Sequence, residues 1–346
     1  MKREIFRWCG EAVGSMDEDG IKTVFLGSGS FAPPVLAALL EDDGIRVLEI
    51  VTQTDKPAGR KGILTPTPLG QWCIGAGIAF KRVSSVNDPE YLEHLRRLDP
   101  DLAVVVSFGQ ILKEDLLNLP RLGCLNVHAS LLPKYRGASP IVSAILNGET
   151  RTGVSFMKMN KGLDTGPVYR QLEMAVEDRM TAPELEQALA CLAGEKIGGC
   201  IRDVASGKLA AVEQDSAAAS MSRKIRKCDA SLDWNRDAES LSRQIRAFHP
   251  WPSTIFSFQH SVRLMTVKIC SGKAVSASGG EPGKILSITS EGITVACCGG
   301  ALLLEKVIPE GKKEMRAVDF ANGFRLEPEM ILLNGPGISS TSCKGM

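Results

Sequence analysis

Three polar residues in this chain have types and spacing suited to acyl transfer. Asn126 and His128 stand two apart in the apolar run "CLNVHAS", so on a β-strand they project from the same face. Asp164 sits in "KGLDTGPV", between Gly162 and Gly166, in a loop that follows a second apolar run, "TGVSFMKMN". Together they offer an amide donor, an imidazole, which is the usual acid or base near neutral pH, and a carboxylate to orient it. Each alone has a plain structural reading. A buried histidine can simply satisfy a hydrogen bond, and an aspartate between glycines can close an Asx-turn. As a set they outline a reaction. No nucleophilic serine or cysteine stands directly beside His128, and no second His or Cys has metal-ligand spacing. What remains is direct attack by a substrate amine on a carbonyl, with Asn126 donating to the oxyanion of a tetrahedral intermediate.

Chemistry of this kind needs a sheet whose strand ends open into a crevice. Thr23–Leu26 reads as a strand, "APPVLAALLEDDG" as a helix entered through prolines, and "IRVLEIVT" as a second strand. "DPEYLEHLRRLDP" is a helix, "LAVVVSFG" and "CLNVHAS" are strands, "SPIVSAILNGE" is a helix, and a long helical stretch ends near Gly207. This alternation predicts an α/β fold, a Rossmann-like, doubly wound and mostly parallel sheet. In such a sheet the carboxyl ends of strands line the ligand site, where Asn126 and His128 fall. The first strand-to-helix turn, "FLGSGSFA", also spells G-x-G-x-x-A. With Glu49 as a ribose ligand 22 residues after Gly27, an NAD-dependent dehydrogenase is the alternative from a different class.

The chain has 346 residues, 44% apolar and 23% charged, enough for two domains. Residues 1–20 read as an N-terminal extension, 21–207 as the catalytic domain and 208–226 as a linker of Ala, Ser, Gln and Asp. Residues 227–334 carry short apolar runs between Gly and Pro, which predicts a small β-barrel, and 335–346 read as a flexible tail. Within the second domain "FHPWP" reads as a packed turn held by His249 and Trp251. The net charge of +1 singles out no partner, although the part from Lys208 onward has 18 basic against 14 acidic residues. Ten scattered cysteines fit neither a disulfide framework nor a zinc site. With no apolar run long enough for a membrane, the expectation is a cytoplasmic protein, and a monomer.

"NVHASLLPKYRGASP" followed by "TGVSFMKMNKGLDTGPV" resembles the catalytic signature of the 10-formyltetrahydrofolate-dependent formyltransferases. The resemblance implies that Asn126, His128 and Asp164 are catalytic. It further implies a folate site at Phe108, Gly109 and Ile111 and at Ser130, Leu131, Leu132 and Pro133, with 10-formyltetrahydrofolate as co-substrate and no metal. Three other stretches, "TQTDKPAGRKGILTPTP", "SLDWNRDAESLSRQIRAFHPWP" and "VIPEGKKEMRAVDFANG", resemble the branch that formylates methionine on initiator tRNA. The likeness runs over roughly residues 21–334. It implies an initiator methionyl-tRNA partner, met by Lys56, Arg60 and Lys61 on a Pro- and Gly-punctuated loop. Arg223, Lys224, Lys312 and Lys313 are the other candidate phosphate contacts. A formyltransferase acting on a nucleotide-linked amino sugar is the nearest alternative. Gly27–Phe31 reads G-S-G-S-F where the family commonly has G-T-P-x-F, a difference in turn geometry rather than in chemistry.

Overall fold

The computed structural model describes residues 20–59, 62–277 and 280–336. They fall into two compact units. One comprises the chain up to Gly137 with Arg151–Ala175 and Glu186–Met221; the other comprises Ala138–Thr150, Val176–Leu185 and the chain from Ser222. The expected division near residue 207 is therefore crossed twice by segments of the first half that cluster with the second.

The elements run β1 (Ile21–Gly27), α1 (Ala32–Leu40), β2 (Ile45–Gln53), β3 (Lys56–Ala58), β4 (Ile63–Thr65), α2 (Pro68–Ala76), β5 (Lys81–Val83) and α3 (Pro89–Leu98). They continue with β6 (Leu102–Val106), α4 (Glu114–Leu117), β7 (Cys124–His128), β8 (Arg136–Gly137), α5 (Pro140–Leu146), β9 (Arg151–Lys158), β10 (Val168–Ala175) and α6 (Ala182–Ala205). In the first unit the sheet order is β10-β9-β7-β6-β1-β2-β5. The five strands from β7 to β5 are parallel, and β9 and β10 join antiparallel. The chain moves outward from β1 to β2 and β5, then returns to β6 on the other side of β1. That reversal is a topological switch point, where an open parallel sheet has its crevice. β6, "LAVVV", is buried along its length, as a central parallel strand must be.

Two expectations change in this unit. The loop expected over 52–68 contains a short hairpin, with Lys56 opposite Thr65 and Pro57 opposite Leu64. Residues 208–226 are not a free linker. Val212 exchanges backbone hydrogen bonds with Val168 at 2.8 and 2.9 Å, and the Ser220 carbonyl accepts from Arg136 N at 2.9 Å. The exposed edge of β10 and the loop before β8 offer backbone groups that need partners, and this segment supplies them.

The chain passes from the first unit to the second within β11 (Met221–Ser222), and the second unit continues with α7 (Ala238–Phe248), β12 (Thr254–His260), β13 (Arg263–Val275), β14 (Ile285–Thr289), β15 (Gly292–Ala296), β16 (Ala301–Pro309), β17 (Met315–Arg316) and α8 (Ala317–Phe324). Its antiparallel sheet has the order β12-β13-β16-β15-β14, with β17 on β16. The edge strands are joined through a short segment rather than to each other: Leu333 bridges Ser257 of β12, and Ile331 bridges Lys284 beside β14. α7 begins where the Asp237 side chain accepts from Ser240 N, and it buries Leu241, Ile245 and Phe248 on one face. The core aromatics are Trp234, Phe256, Phe258 and Phe320. The packed turn expected at "FHPWP" is corrected here, because Trp251 is 54% exposed. Trp234 fills the aromatic place instead, its ring against Phe256 and its Nε1 donating to the Leu333 carbonyl at 3.2 Å.

Candidate active site

β7 is paired on both sides, Asn126 facing Val105 of β6 and Met157 of β9, so the strand is fixed in register. Period-2 geometry then brings Asn126 and His128 to one face at its carboxyl end. After β9 the chain turns back on itself, with Lys158 N donating to the Pro167 carbonyl at 2.8 Å. A Cβ at Gly166 would lie 1.9 Å from the Lys158 carbonyl oxygen, so only glycine lets the loop close this tightly. Asp164 within it has φ +50°, the left-handed conformation that Asp tolerates better than most residues.

The loop delivers the Asp164 carboxylate to the strand end. Asn126 Nδ2 donates to Oδ1 at 3.4 Å, and Gly137 N donates to Oδ2 at 2.8 Å. His128 Nδ1 is 3.7 Å from Oδ2. On the ring's other side Nε2 is 3.0 Å from the Tyr135 carbonyl. The carbonyl can only accept, so Nε2 carries a proton, and Nδ1 is the nitrogen that faces Asp164. The ring is buried, which holds it in this orientation. The three residues singled out in the sequence therefore meet around one carboxylate.

The segment leading from β7 to β8 is braced by two residues that sequence reading did not single out. Ser155 Oγ donates to the Ser130 carbonyl at 2.7 Å and accepts from Leu132 N at 3.0 Å. Gln171 Nε2 donates to the Leu132 carbonyl at 2.7 Å and to Ser155 Oγ at 3.0 Å. Polar side chains at strand positions of β9 and β10 beside an apolar run were the available signal. Ser130 and Leu132 are buried in this brace, while Leu131 and Pro133 are partly exposed. After β6, Phe108 puts its ring into the core beneath the sheet. Gly109 takes φ +76°, and Ile111 is 83% exposed. Gln53, also missed, crosses from β2 to donate to the Phe108 carbonyl at 2.5 Å.

The basic candidates are dispersed. Lys56 Nζ donates to Gln53 Oε1 at 2.5 Å, whereas Arg60 and Lys61 lie outside the described residues. Arg223 is committed to Asp229 through two hydrogen bonds of 2.7 and 2.6 Å. Lys224 is exposed, as are Lys312 and Lys313 in the turn after β16. Glu49, the ribose ligand of the dehydrogenase alternative, is taken by its own neighbours: Lys81 Nζ at 3.1 Å, Tyr91 Oη at 2.9 Å and His94 Nε2 at 2.7 Å. Burial alone would raise its pKa, but these three bonds outweigh that and hold the carboxyl below its ordinary value. Among the described residues no group of three or more His, Cys, Asp or Glu is placed to hold a metal ion. No helix among them is long and apolar enough to cross a membrane.

A doubly wound sheet with an amide, an imidazole and a carboxylate at one strand end, followed by an antiparallel sheet domain, defines the formyl transferase class. Two family profiles match accordingly, "Formyl transferase" over residues 21–197 and "Formyl transferase, C-terminal domain" over residues 224–325. Methionyl-tRNA formyltransferase of Geobacter sulfurreducens is 38% identical over 309 residues, covering 89% of this chain and 96% of that protein. The protein of the same name from Myxococcus xanthus is 40% identical over 307 residues, with the same two coverages. The chain belongs to the methionyl-tRNA formyltransferase family. In fold it is similar to the N-formyltransferase of Helicobacter canadensis solved with folinic acid and dTDP-3-aminofucose, at a TM-score of 0.59 and 18% identity, covering 82% of this chain and 98% of that one.

Proposed function

We propose that this chain transfers the formyl group of 10-formyltetrahydrofolate to the α-amino group of methionyl initiator tRNA. The observation that carries the reading is the meeting of Asn126, His128 and Asp164 around one carboxylate at the end of β7. The neutral amine attacks the formyl carbon, and a C–N bond forms as the carbonyl electrons move to oxygen. Asn126 and the Nδ1 proton of the doubly protonated His128 ring stabilise that oxyanion, and Asp164 keeps both in place. The intermediate then collapses, the bond from the formyl carbon to N10 breaks, N10 takes up a proton, and the new amide nitrogen gives one up.

The folate co-substrate lies along Gly109, Ile111 and the braced segment Ser130–Pro133. Exposed Ile111 supplies apolar surface there. The hairpin that starts at Lys56, with Lys224, Lys312 and Lys313, meets the phosphates of the tRNA. The active species in this reading is a monomer, working in the cytoplasm beside its charged tRNA. The test is transfer of labelled formyl from 10-formyltetrahydrofolate to charged initiator tRNA and, in parallel, to a nucleotide-linked amino sugar. Label in the tRNA alone is the expected result; label in the sugar alone overturns the assignment of the amine.

A further inference from the structure

We propose that Gln214 is a positioning residue for Asp164, acting from the segment that the sequence reads as a linker. The proposal rests on the reading of Asp164 as catalytic. A loop of Gly162, Leu163, Asp164, Thr165 and Gly166 has much backbone freedom to lose on being ordered. Something must hold it. The Asp164 side chain is the part that reaches the site, so its anchor has to be the backbone.

Asn160 Oδ1 closes the loop on itself, accepting from Gly162 N at 3.0 Å and Thr165 Oγ1 at 2.9 Å, and Gln214 anchors its far side to a distant segment. Its Nε2 donates to the Asp164 carbonyl at 2.9 Å and to the Gly166 carbonyl at 2.6 Å, spanning the turn on both sides of Thr165. Its Oε1 accepts from Arg136 Nε at 3.0 Å and Nη2 at 2.8 Å. Arginine offers only donors and the two carbonyls only accept, so the amide has one allowed orientation and all of its hydrogen-bonding capacity is used. Arg136 is buried and belongs to the segment that contacts both His128 and Asp164. The carbonyl of its neighbour Tyr135 accepts a hydrogen bond from His128 Nε2, and its neighbour Gly137 donates to Asp164 Oδ2.

Gln214 thus ties the aspartate loop to the histidine loop from behind. The segment carrying it is pinned on either side, by the Val212–Val168 pair and by the bond from Arg136 N to the Ser220 carbonyl. Displacing this segment frees the Asp164 loop without touching any reacting group. The consequence is a specific kinetic pattern, a loss in the chemical step with binding preserved.

The experiment is a double-mutant cycle on the full chain, with folding monitored by thermal melting. Gln214→Leu removes both N–H donors and the one acceptor oxygen at similar size. Gln214→Glu is a second variant that keeps the bond to Arg136 and loses the donors to the carbonyls. Both lower kcat by about 10- to 100-fold while KM for folate and for tRNA stays within about twofold, since a misplacement near 1 Å costs this much in rate. In an Asp164→Asn background, which keeps the loop backbone, Gln214→Leu has no further effect, because the group it positions has gone. An unchanged kcat, a loss confined to KM, or the same fold-loss in both backgrounds overturns the proposal. Full activity in Asp164→Asn by itself overturns instead the reading of Asp164 as catalytic, whatever Gln214 does.

Discussion

His128 Nε2 donates to the carbonyl oxygen of Tyr135 at 3.0 Å, and this bond assigns the ring's protons. It leaves Nδ1 facing Asp164, 3.7 Å from Oδ2, so one edge of the imidazole is held by the backbone and the other faces the carboxylate. Two substitutions separate these edges. His128→Ala removes both and leaves a buried carbonyl without its donor, costing about 1–3 kcal/mol of stability. His128→Gln can keep a donor toward Tyr135 while supplying no proton at the position of Nδ1. Both are expected to lower the rate by on the order of 10²–10⁴. Only the alanine variant should also melt earlier, which single-turnover kinetics and calorimetry on the same samples will check.

Gly166 tests whether the closure of the aspartate loop matters as much as the aspartate. A Cβ there meets the Lys158 carbonyl at 1.9 Å, and backbone cannot swing away as a flexible side chain can. Gly166→Ala should cost about 1–3 kcal/mol through overpacking. Displacing Asp164 should also reduce kcat by about 10-fold or more. Gly75→Ala is the control, since nothing lies within 4 Å of its Cβ and it sits inside α2. That change should leave kcat alone and raise stability by up to about 1 kcal/mol, the ordinary helix preference of Ala over Gly.

The strands that carry the site were legible because they are buried on both faces: "LAVVV" and "CLNVH" are apolar runs with polar residues only where the sheet ends. β10 was not, because "VYRQLEMA" is an edge strand with alternating exposure, paired with β9 on one side and bridged on the other at Val168, by Val212. Gln214 was invisible as well. Its partners are a carbonyl of the aspartate loop and an arginine 78 residues away, and neither leaves a periodic trace. Asn126, His128 and Asp164 could be found since their side-chain types and spacing stand out in the sequence. The residues that hold them work mostly through backbone groups, which every sequence has.

Trp234 and Trp251 show how composition fails to tell core from surface. Trp234 is 1% exposed with its indole nitrogen satisfied, and Trp251 is 54% exposed. Trp234→Ala should cost about 3–5 kcal/mol, the range for a truncated core aromatic. Trp251→Ala should stay within about 0.5 kcal/mol of the parent. Urea titrations read at a second spectroscopic probe will compare them; equal losses would mean that the exposed ring carries packing after all.

Acid stability should have a component from the cap of α7. Hydrogen bonds from Ser240, through its side chain and its backbone N–H, are the main cause that holds the Asp237 carboxyl below its ordinary value. A lowered folded-state pKa gives stability that is complete above the unfolded value near pH 4 and is lost as pH falls through the folded value. Asp237→Ala should therefore cost about 1 kcal/mol at neutral pH, the usual worth of such a cap. The difference from the parent should shrink below about pH 4 as the carboxyl takes up its proton. Denaturation midpoints of both proteins at pH 7 and pH 3 test the sign, and a gap that widens in acid would contradict it.

Gln53 should govern how well the folate co-substrate binds. It lies at the end of β2, yet its Nε2 reaches past β1 to the Phe108 carbonyl after β6. The crossing is open because the intervening turn is small. Ser28 Oγ accepts from Gln53 N at 3.3 Å, and Gly29 approaches Ser107 so closely that a Cβ would lie 2.9 Å from its Cβ. The turn that Gln53 grips is a demanding one, with φ +44° at Ser107 and +76° at Gly109. The Gln53 amide nitrogen sits 2.6 Å from where a Gly109 Cβ would be, so the side chain also fixes the face of the turn that stays open. Gln53→Leu removes the donor and leaves the Phe108 carbonyl unpaired, at a cost of about 1–3 kcal/mol that falls on this turn. Affinity for a 10-formyl folate analogue, measured by calorimetry, should drop by about 5- to 150-fold, the same free energy expressed as binding. The KM for tRNA should stay as it was. A tRNA-side defect with unchanged folate affinity would place Gln53 in service of the hairpin at Lys56 instead.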